Sequence, residues 1–203
     1  MAAGRFIAFE GGEGTGKSTQ ARLLADRLGA VLTREPGGTP IGARIREIVL
    51  ASEENGLTDR AEALLMAADR AHHVATLIAP TLAGGRHVVT DRFLGSSVAY
   101  QGFGRGLATE EIRDLSLWAT DGLQPDLVVL LVVERTEARA RIGHARDRVE
   151  KAGPAFHDAV TEGFVELARA DPERWVTVDG GGTPAEVEAR VGAVVVDRLA
   201  LPP

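Results

Sequence analysis

The segment Gly11–Ser18 has the residue types and the spacing of a phosphate-binding loop. It reads GGEGTGKS and satisfies the pattern G-x-x-x-x-G-K-[ST]. Glycines let backbone N–H groups converge on phosphate oxygens, and a helix that begins here adds its positive end. Lys17 supplies a positive charge to the outer phosphates, and the Ser18 hydroxyl can ligate Mg²⁺. The sequence therefore predicts a nucleoside triphosphate site, with residues Gly11, Gly12, Glu13, Gly14, Thr15, Gly16, Lys17, Ser18 and Thr19.

A second polar pair, Asp91 and Arg92, follows the apolar run RHVVT directly. In a parallel sheet these side chains reach the same edge as the phosphate loop, which is where ligands bind. Asp91 could then contribute to a Mg²⁺ site, and Arg92 could bind a phosphate through two N–H groups. A surface ion pair at the end of the strand is the alternative interpretation.

Four arginines fall within ten residues of one polar stretch: Arg139, Arg141, Arg146 and Arg148. Phosphoryl transfer develops negative charge on equatorial oxygens, and arginines that close over the site stabilise it. We therefore predict a lid at about residues 139–153. Acidic residues are interleaved with the arginines, so a solvated helix face is the alternative for any one of them.

Elements that would position these residues alternate between strands and helices, which predicts an α/β fold with a parallel sheet covered on both faces. The predicted strands are Arg5–Glu10, Ala30–Glu35, Arg86–Thr90, Asp126–Val133 and Arg174–Val178. The predicted helices run over about 17–28, 40–51, 59–82, 154–170 and 184–199, the third one bent at Pro80.

Composition narrows the function classes. The 203 residues suit a single domain, residues 1–203, with a small lid. The net charge of −6 and the lack of a Lys/Arg run argue against nucleic acid and anionic membranes as partners. The absence of cysteine excludes disulfides, thiolate nucleophiles and zinc-thiolate sites. Without a signal peptide or a membrane-length apolar run, we expect a cytoplasmic protein.

Five motifs together resemble those of bacterial thymidylate kinases in order and spacing. They are Glu10–Thr19 (EGGEGTGKST), Thr33–Thr39 (TREPGGT), Leu64–Arg70 (LLMAADR), Asp91–Gly102 (DRFLGSSVAYQG) and Asp147–Glu150 (DRVE). The resemblance covers nearly the whole chain. It implies a P-loop kinase fold, a three-layer arrangement around a five-stranded parallel sheet, and usually a homodimer. The implied reaction is ATP + dTMP giving ADP + dTDP, with Mg²⁺.

The resemblance also implies roles around the sugar and phosphate of dTMP. Glu13 matches the carboxylate that accepts the sugar 3′-hydroxyl, and Arg46 and Arg92 match the arginines that hold the 5′-phosphate. Tyr100 matches the ring that crowds the 2′ position and disfavours ribose.

Around the base, Arg70 matches the arginine bonded to a thymine carbonyl, and Ser97 or Gln101 matches the other polar contact. One position departs from the family. The phenylalanine usually stacked on thymine is replaced by Met66, which keeps its spacing from Arg70 on one helix face.

For catalysis, the resemblance points to Lys17 and Arg92 at the phosphates and to arginines of the lid. The phosphate loop contains no arginine, as in the bacterial subclass whose catalytic arginine comes from the lid. Arg141 and Arg148 match that segment best.

Two other functions remain open on the sequence. One is a different P-loop nucleotide or nucleoside kinase, although Arg46 and Arg92 favour an acceptor that already carries a phosphate. The other is a nucleotide-dependent switch without transfer activity. The D-x-x-G pattern at Asp179 would suit a switch, but the only asparagine is Asn55, so an N-K-x-D guanine site does not exist.

Overall fold

A computed structural model describes residues 3–51, 56–141, 148–149 and 151–201. Its centre is a sheet of five parallel strands in the order β2-β3-β1-β4-β5. The strands are β1 Phe6–Glu10, β2 Val31–Arg34, β3 Val88–Asp91, β4 Leu127–Val132 and β5 Trp175–Asp179. Each one overlaps a predicted strand, so the five-stranded parallel sheet is confirmed.

Helices occupy the connections between strands. They are α1 Lys17–Leu28, α2 Pro40–Leu50, α3 Asp59–His73, α4 Ala79–Ala83, α5 Leu94–Ser97, α6 Thr109–Ala119, α7 Arg135–Arg141, α8 Pro154–Ala170 and α9 Pro184–Leu199. The predicted helix over 59–82 is wrong as a single α-helix, because a π-helical turn at Val74–Ile78 separates α3 from α4. Pro80 lies in the first turn of α4, where its missing N–H costs no hydrogen bond.

Apolar residues alternate between the two faces of the sheet. Phe6 and Ala8 of β1 pack with Phe93 on one face, while Ile7 and Phe9 pack beneath α1 and α9 on the other. All five β1 residues are buried, as expected for a central strand between two helical layers. This arrangement confirms the three-layer fold.

The strand register brings polar residues to one edge of the sheet. Asp91 pairs with Phe9 of β1 and with Arg34 of β2, and Glu10 is the last residue of β1. The carboxyl ends of β1, β2 and β3 therefore meet where the phosphate loop leaves β1.

Within the described part of the chain, no helix has the length and apolar character that crossing a bilayer requires. The predicted lid lies partly outside the described residues, which include 139–141, 148–149 and 151–153 of it. Arg146, Asp147 and Glu150 are among those outside.

Candidate active site

The phosphate loop joins β1 to α1, and its backbone conformation requires glycine. Gly11 has a φ of 138°, and a Cβ there would lie 2.4 Å from the Leu131 carbonyl oxygen. Gly14 has a φ of 75°, and a Cβ there would lie 2.3 Å from the Ala138 carbonyl oxygen. Side chains are thus excluded by both conformation and space, which leaves backbone N–H groups to line the loop.

Lys17 is buried at the start of α1. Its Nζ donates to the Gly12 carbonyl oxygen and, at 3.3 Å, to the Thr15 hydroxyl. Burial, assisted by the nearby Arg92 charge, lowers the pKa of Lys17 to about 8. A phosphate beside this ammonium would offset both effects and favour its charged form.

Arg92 connects the phosphate loop to the neighbouring segment. Its guanidinium is ion-paired with Glu13, donates to the Gly11 carbonyl oxygen at 3.1 Å, and donates to the hydroxyls of Ser96 and Tyr100, each at 3.1 Å. The residue has a φ of 72°, a left-handed conformation that is uncommon outside glycine and clusters at functional sites. The Arg92 charge holds the pKa of Glu13 down at about 2.

Glu10 is a buried carboxyl group that anchors the start of α5. Its Oε1 accepts hydrogen bonds from the backbone N–H groups of Phe93 and Ser96, at 3.0 and 2.9 Å, and its Oε2 contacts the Ser96 hydroxyl at 2.5 Å. Burial raises the pKa of Glu10 to about 7, although these hydrogen bonds and the Arg92 charge oppose the rise. The sequence motif contains Glu10, but the sequence analysis assigned it no role.

A cavity of about 210 Å³, here named the central pocket, opens beside Arg92 and the phosphate loop. Nine of the predicted site residues line it: Glu13, Lys17, Ser18, Arg46, Met66, Asp91, Arg92, Tyr100 and Gln101. These residues come from the phosphate loop, α1, α2, α3, β3 and the segment after β3. Met66 is only 7% exposed, yet it contributes to the pocket wall rather than only to the core.

Arg70 and Ser97, also predicted to contact the base, do not line the central pocket. Arg70 is completely buried, with Nε 2.8 Å from Glu35 Oε2 and Nη2 3.0 Å from the Ser97 hydroxyl. Its remaining contacts are the Ser116 hydroxyl and the Phe93 carbonyl oxygen. In this structure Arg70 therefore supports the pocket wall through other protein groups.

Glu35 is the buried partner that balances the Arg70 charge. Its second oxygen lies 3.0 Å from His73 Nδ1, and the opposite ring nitrogen of His73 lies 2.6 Å from the Thr33 hydroxyl. This network fixes the TREPGGT segment against α3.

Arg141 and Arg148, the two arginines of the predicted lid that were assigned catalytic roles, contact different parts of the site. Arg141 donates to the carbonyl oxygens of Gly180 and Gly182, at 3.1 and 3.2 Å, and its Nη1 would lie 3.9 Å from a Cβ placed on Gly16. Arg148 instead ion-pairs with Glu62 in the central pocket. Arg141 thus lies beside the phosphate loop, whereas Arg148 contacts the pocket residues Glu62 and Val49.

Glu62 is a pocket residue that the sequence analysis missed. It is completely buried, and it lies four residues before Met66 and eight before Arg70 on α3. This spacing is the signal that could have found it, because it places Glu62 on the helix face of the two predicted base-contacting residues.

Asp91 and Ser18 form a small oxygen-rich site at the edge of the central pocket. The Ser18 hydroxyl donates to Asp91 Oδ2, and Asp91 Oδ1 is buried without a hydrogen-bond partner among the described residues. Within the described ranges, no group of three or more His, Cys, Asp or Glu residues could hold a metal ion. The donor set is that of a Mg²⁺ site completed by substrate phosphates rather than by a protein cage.

Two more cavities flank the phosphate loop. One, of about 180 Å³, is bordered by Gly16, Gln20, Arg141 and Gly180. The other, of about 450 Å³, lies among β4, α7 and α8 and has a mainly apolar wall; it is named here the side pocket.

Comparisons with known proteins agree with this geometry. The family model described as Thymidylate kinase matches residues 9–191. A thymidylate kinase of Leifsonia xyli is 52% identical over 93% of this chain and 92% of its own length, and one of Synechococcus sp. (strain JA-3-3Ab) is 51% identical over 96% of each chain. The solved structure of thymidylate kinase from Ehrlichia chaffeensis superimposes with a TM-score of 0.78, at 30% identity, over 95% of this chain and 99% of that one.

The fold class and the resemblance predicted from the sequence are therefore confirmed. Because the family model covers most of the chain and relatives near 50% identity span almost all of it, the chain belongs to the thymidylate kinase family.

Proposed function

We propose that the central pocket is where this kinase binds dTMP, and that the phosphate loop presents the γ-phosphate of ATP to it. Membership of the family makes the reaction the transfer of a phosphoryl group from ATP to dTMP, which gives ADP and dTDP. The observation that carries the assignment is the position of Arg92, which contacts the phosphate loop at Gly11 and lines the central pocket. A guanidinium placed between donor and acceptor stabilises charge on the group in transit.

Arg46 and Arg92 are proposed to hold the 5′-phosphate of dTMP. Both line the central pocket, and two guanidinium groups in one pocket match a dianionic group. Glu13, fixed by Arg92 and by the Tyr100 hydroxyl at 3.2 Å, is proposed to accept the 3′-hydroxyl. A carboxylate with a strongly lowered pKa is ionised at neutral pH and can only accept.

Met66 and Gln101 are proposed to contact the thymine ring, with Arg70 and Ser97 holding the wall behind them. Tyr100, buried beside Arg92, is proposed to exclude the 2′-hydroxyl of a ribonucleotide. These roles place the apolar and polar contacts to the base on α3 and on the segment after β3.

Mg²⁺ is proposed to bind at Ser18 and Asp91, and the unpartnered Asp91 Oδ1 supports this assignment. When bound, the ion would neutralise phosphate charge and orient the ATP tail. The protein's part is to offer two oxygen ligands beside Lys17. Replacing Asp91 by Asn is expected to raise the Mg²⁺ concentration needed for half-maximal activity.

Of the two arginines assigned to catalysis from the lid, Arg141 is proposed to act at the donor phosphates and Arg148 at the pocket. Arg141 lies near Gly16 of the phosphate loop, which supports the donor assignment. We expect Arg141→Met to lower kcat more than it raises KM for dTMP. If Arg148→Met rather than Arg141→Met lowers kcat in this way, the roles of the two arginines are reversed.

A homodimer is proposed to form through α2, α3 and α6. Helix α3 packs against both of the others, and the three carry large exposed apolar side chains, namely Ile41, Ile48, Leu64 and Trp118. Trp118 is 82% exposed, which is unusual for so large an apolar group. Sedimentation of Trp118→Arg should show a monomer, whereas Val196→Arg on α9 should leave the dimer intact. The proposal also includes a cytoplasmic location.

An assay of ADP release tests the function itself. The protein is incubated with ATP, Mg²⁺ and, in turn, dTMP, dUMP, dCMP, dGMP or thymidine. We expect ADP release to be fastest with dTMP as the acceptor. Preference for thymidine would indicate a nucleoside kinase, and release without any acceptor would favour a switch.

A further inference from the structure

The Glu62 carboxylate contacts three side chains that come from two other segments of the chain. Its Oε1 accepts from Gln101 Nε2 at 2.7 Å, and its Oε2 is ion-paired with Arg148 and lies 3.2 Å from Arg105 Nη2. Two guanidinium groups thus compensate a carboxylate that is completely buried, which would otherwise be costly. Because Glu62 also lines the central pocket, its contacts connect the pocket wall to the lid.

The contact with Glu62 decides which way the Gln101 amide points. A carboxylate can only accept hydrogen bonds, so it must face the NH₂ group of the amide. The opposite atom, Gln101 Oε1, is buried and has no hydrogen-bond partner among the described residues. Gln101 lines the central pocket, so a ligand bound there could supply the missing donor.

A buried acceptor without a partner is costly unless a ligand supplies a donor. The thymine and uracil rings carry a single ring donor, N3–H, between two carbonyl groups. Cytosine has a lone pair at N3 instead, which would face the Gln101 oxygen and be repelled. The orientation that Glu62 imposes therefore favours thymine and uracil over cytosine.

Arg148 brings the lid to the same carboxylate. Its Nη2 is paired with Glu62, and its Nε donates to the Val49 carbonyl oxygen at 3.1 Å near the end of α2. Val49 and Val149 both line the central pocket, so these contacts lie at its wall. One carboxylate thus holds a base-contacting amide and a lid arginine together.

We propose that Glu62 is a positioning residue that sets the polarity of base recognition through Gln101 and anchors the lid through Arg148. The proposal rests on the proposed function of the central pocket as the dTMP site. Glu62 itself does not touch the reacting atoms.

The test is the isosteric substitution Glu62→Gln, assayed with dTMP, dUMP and dCMP. Glutamine at 62 can present either of its amide atoms, so the Gln101 amide becomes free to turn. The preference for dTMP over dCMP in kcat/KM is expected to fall by about tenfold or more. The preference for dTMP over dUMP should stay unchanged, because both rings carry N3–H and differ only in the methyl group.

Asp59→Asn is the matched control. Asp59 is on the same helix and lies 3.6 Å from Arg105, but it is half exposed, and its ion pair with Arg105 does not involve Gln101 or Arg148. Asparagine at 59 should leave both substrate preferences as in the wild type. Glu62→Gln with a wild-type dTMP/dCMP preference, whatever its melting temperature, would overturn the proposal and leave Glu62 a structural residue.

If Glu62→Gln does not fold, a double-mutant cycle of Gln101→Met and Arg148→Met decides. Because both side chains share Glu62, the loss of dTMP affinity in the double variant should differ from the product of the single losses by about threefold or more. If the loss of dTMP affinity in the double variant equals the product of the single losses, Gln101 and Arg148 are not coupled and the proposal is contradicted. Wild-type protein that shows no activity on dTMP would instead refute the proposed function, so the two failures are distinguishable.

Discussion

The two halves of the proposed site would bind phosphate groups by different means. The donor half, around the phosphate loop, relies on backbone geometry: glycines that tolerate no side chain, the start of α1, and Lys17. The acceptor half relies on charged side chains held by carboxylates: Arg92 pairs with the half-buried Glu13, and Arg70 and Arg148 pair with the buried Glu35 and Glu62. A backbone site needs only a local sequence, whereas the acceptor half depends on pairs between residues far apart in the chain.

This difference has an energetic consequence. Removing a side chain from the donor half leaves the loop backbone in place, so activity should fall with little loss of stability. Removing a guanidinium from the acceptor half leaves a buried carboxylate uncompensated, so activity and stability should fall together.

The largest expected effect is in the donor half. Lys17→Met should lower kcat by about 10²–10³-fold, because one charged group at a transferring phosphate contributes about that much. The melting temperature should change little, since among the described residues the Lys17 ammonium donates hydrogen bonds only to Gly12 and Thr15 of its own loop. ADP release and thermal unfolding measure the two effects.

The control for that substitution is Lys151→Met, which changes the only other lysine of the chain. It should retain near wild-type kcat. Lys17→Met with more than half of the wild-type activity would remove Lys17 from the mechanism.

In the acceptor half, Arg92→Met should abolish transfer and also destabilise the protein. Glu13 would lose its ion pair and the Tyr100 and Ser96 hydroxyls would lose a donor, at a cost of about 1–3 kcal/mol. Chemical denaturation at neutral pH measures the loss. A variant that is inactive but as stable as Lys17→Met would contradict the distinction between the two halves.

A smaller, pH-dependent effect is expected at Glu10. Its pKa is about 7 in the folded protein against an ordinary value of 4.5, so the folded state holds the proton more tightly. Stability is therefore complete below the ordinary pKa and is lost as pH rises through the folded value, by about 3 kcal/mol between about pH 4 and about pH 8. Glu10→Gln, which resembles the protonated form, should lack this loss.

The measurement is the free energy of unfolding of wild type and Glu10→Gln across that pH range. As pH rises, the free energy of unfolding of Glu10→Gln should increase relative to that of the wild type. Parallel curves would show that Glu10 does not titrate in this window. The ion pair of Glu13 with Arg92 acts in a different pH range. Because the pKa of Glu13 is lowered in the folded protein, the stability that this pair contributes is lost only as pH falls towards about 2.

The smallest effect is expected at Met66. A methionine sulfur against an aromatic ring contributes about 0.3–1.5 kcal/mol, and a stacked aromatic side chain about 1–3 kcal/mol. Met66→Phe should therefore tighten dTMP binding about fivefold by calorimetry and leave KM for ATP unchanged. Unchanged affinity with a lower melting temperature would mean that phenylalanine overpacks the wall instead.

Sequence reasoning predicted the sheet and the loop that joins β1 to α1, because both depend on local patterns. The alternation of apolar runs indicated all five strands, and the loop pattern indicated Gly11–Ser18. Local sequence also accounts for the starts of α2 and α9, where the side chains of Thr39 and Thr183 each accept a hydrogen bond from the backbone N–H three residues ahead.

The acceptor half was predicted only in part, since its supports act across the sequence. Glu62 and Arg148 are 86 positions apart, and Glu35 and Arg70 are 35 apart, so no local pattern pairs them. Helix α5 was missed because the segment after β3 is rich in glycine and serine, which local propensity does not assign to helices. Packing against α3 and α8 stabilises this segment instead.

A crystal structure of the protein with dTMP tests the central claim most directly. The account predicts the 5′-phosphate within hydrogen-bond distance of Arg92 and the thymine ring between Met66 and Gln101, with N3–H on the Gln101 oxygen. A nucleotide bound in the side pocket among β4, α7 and α8, away from Met66 and Gln101, would contradict it.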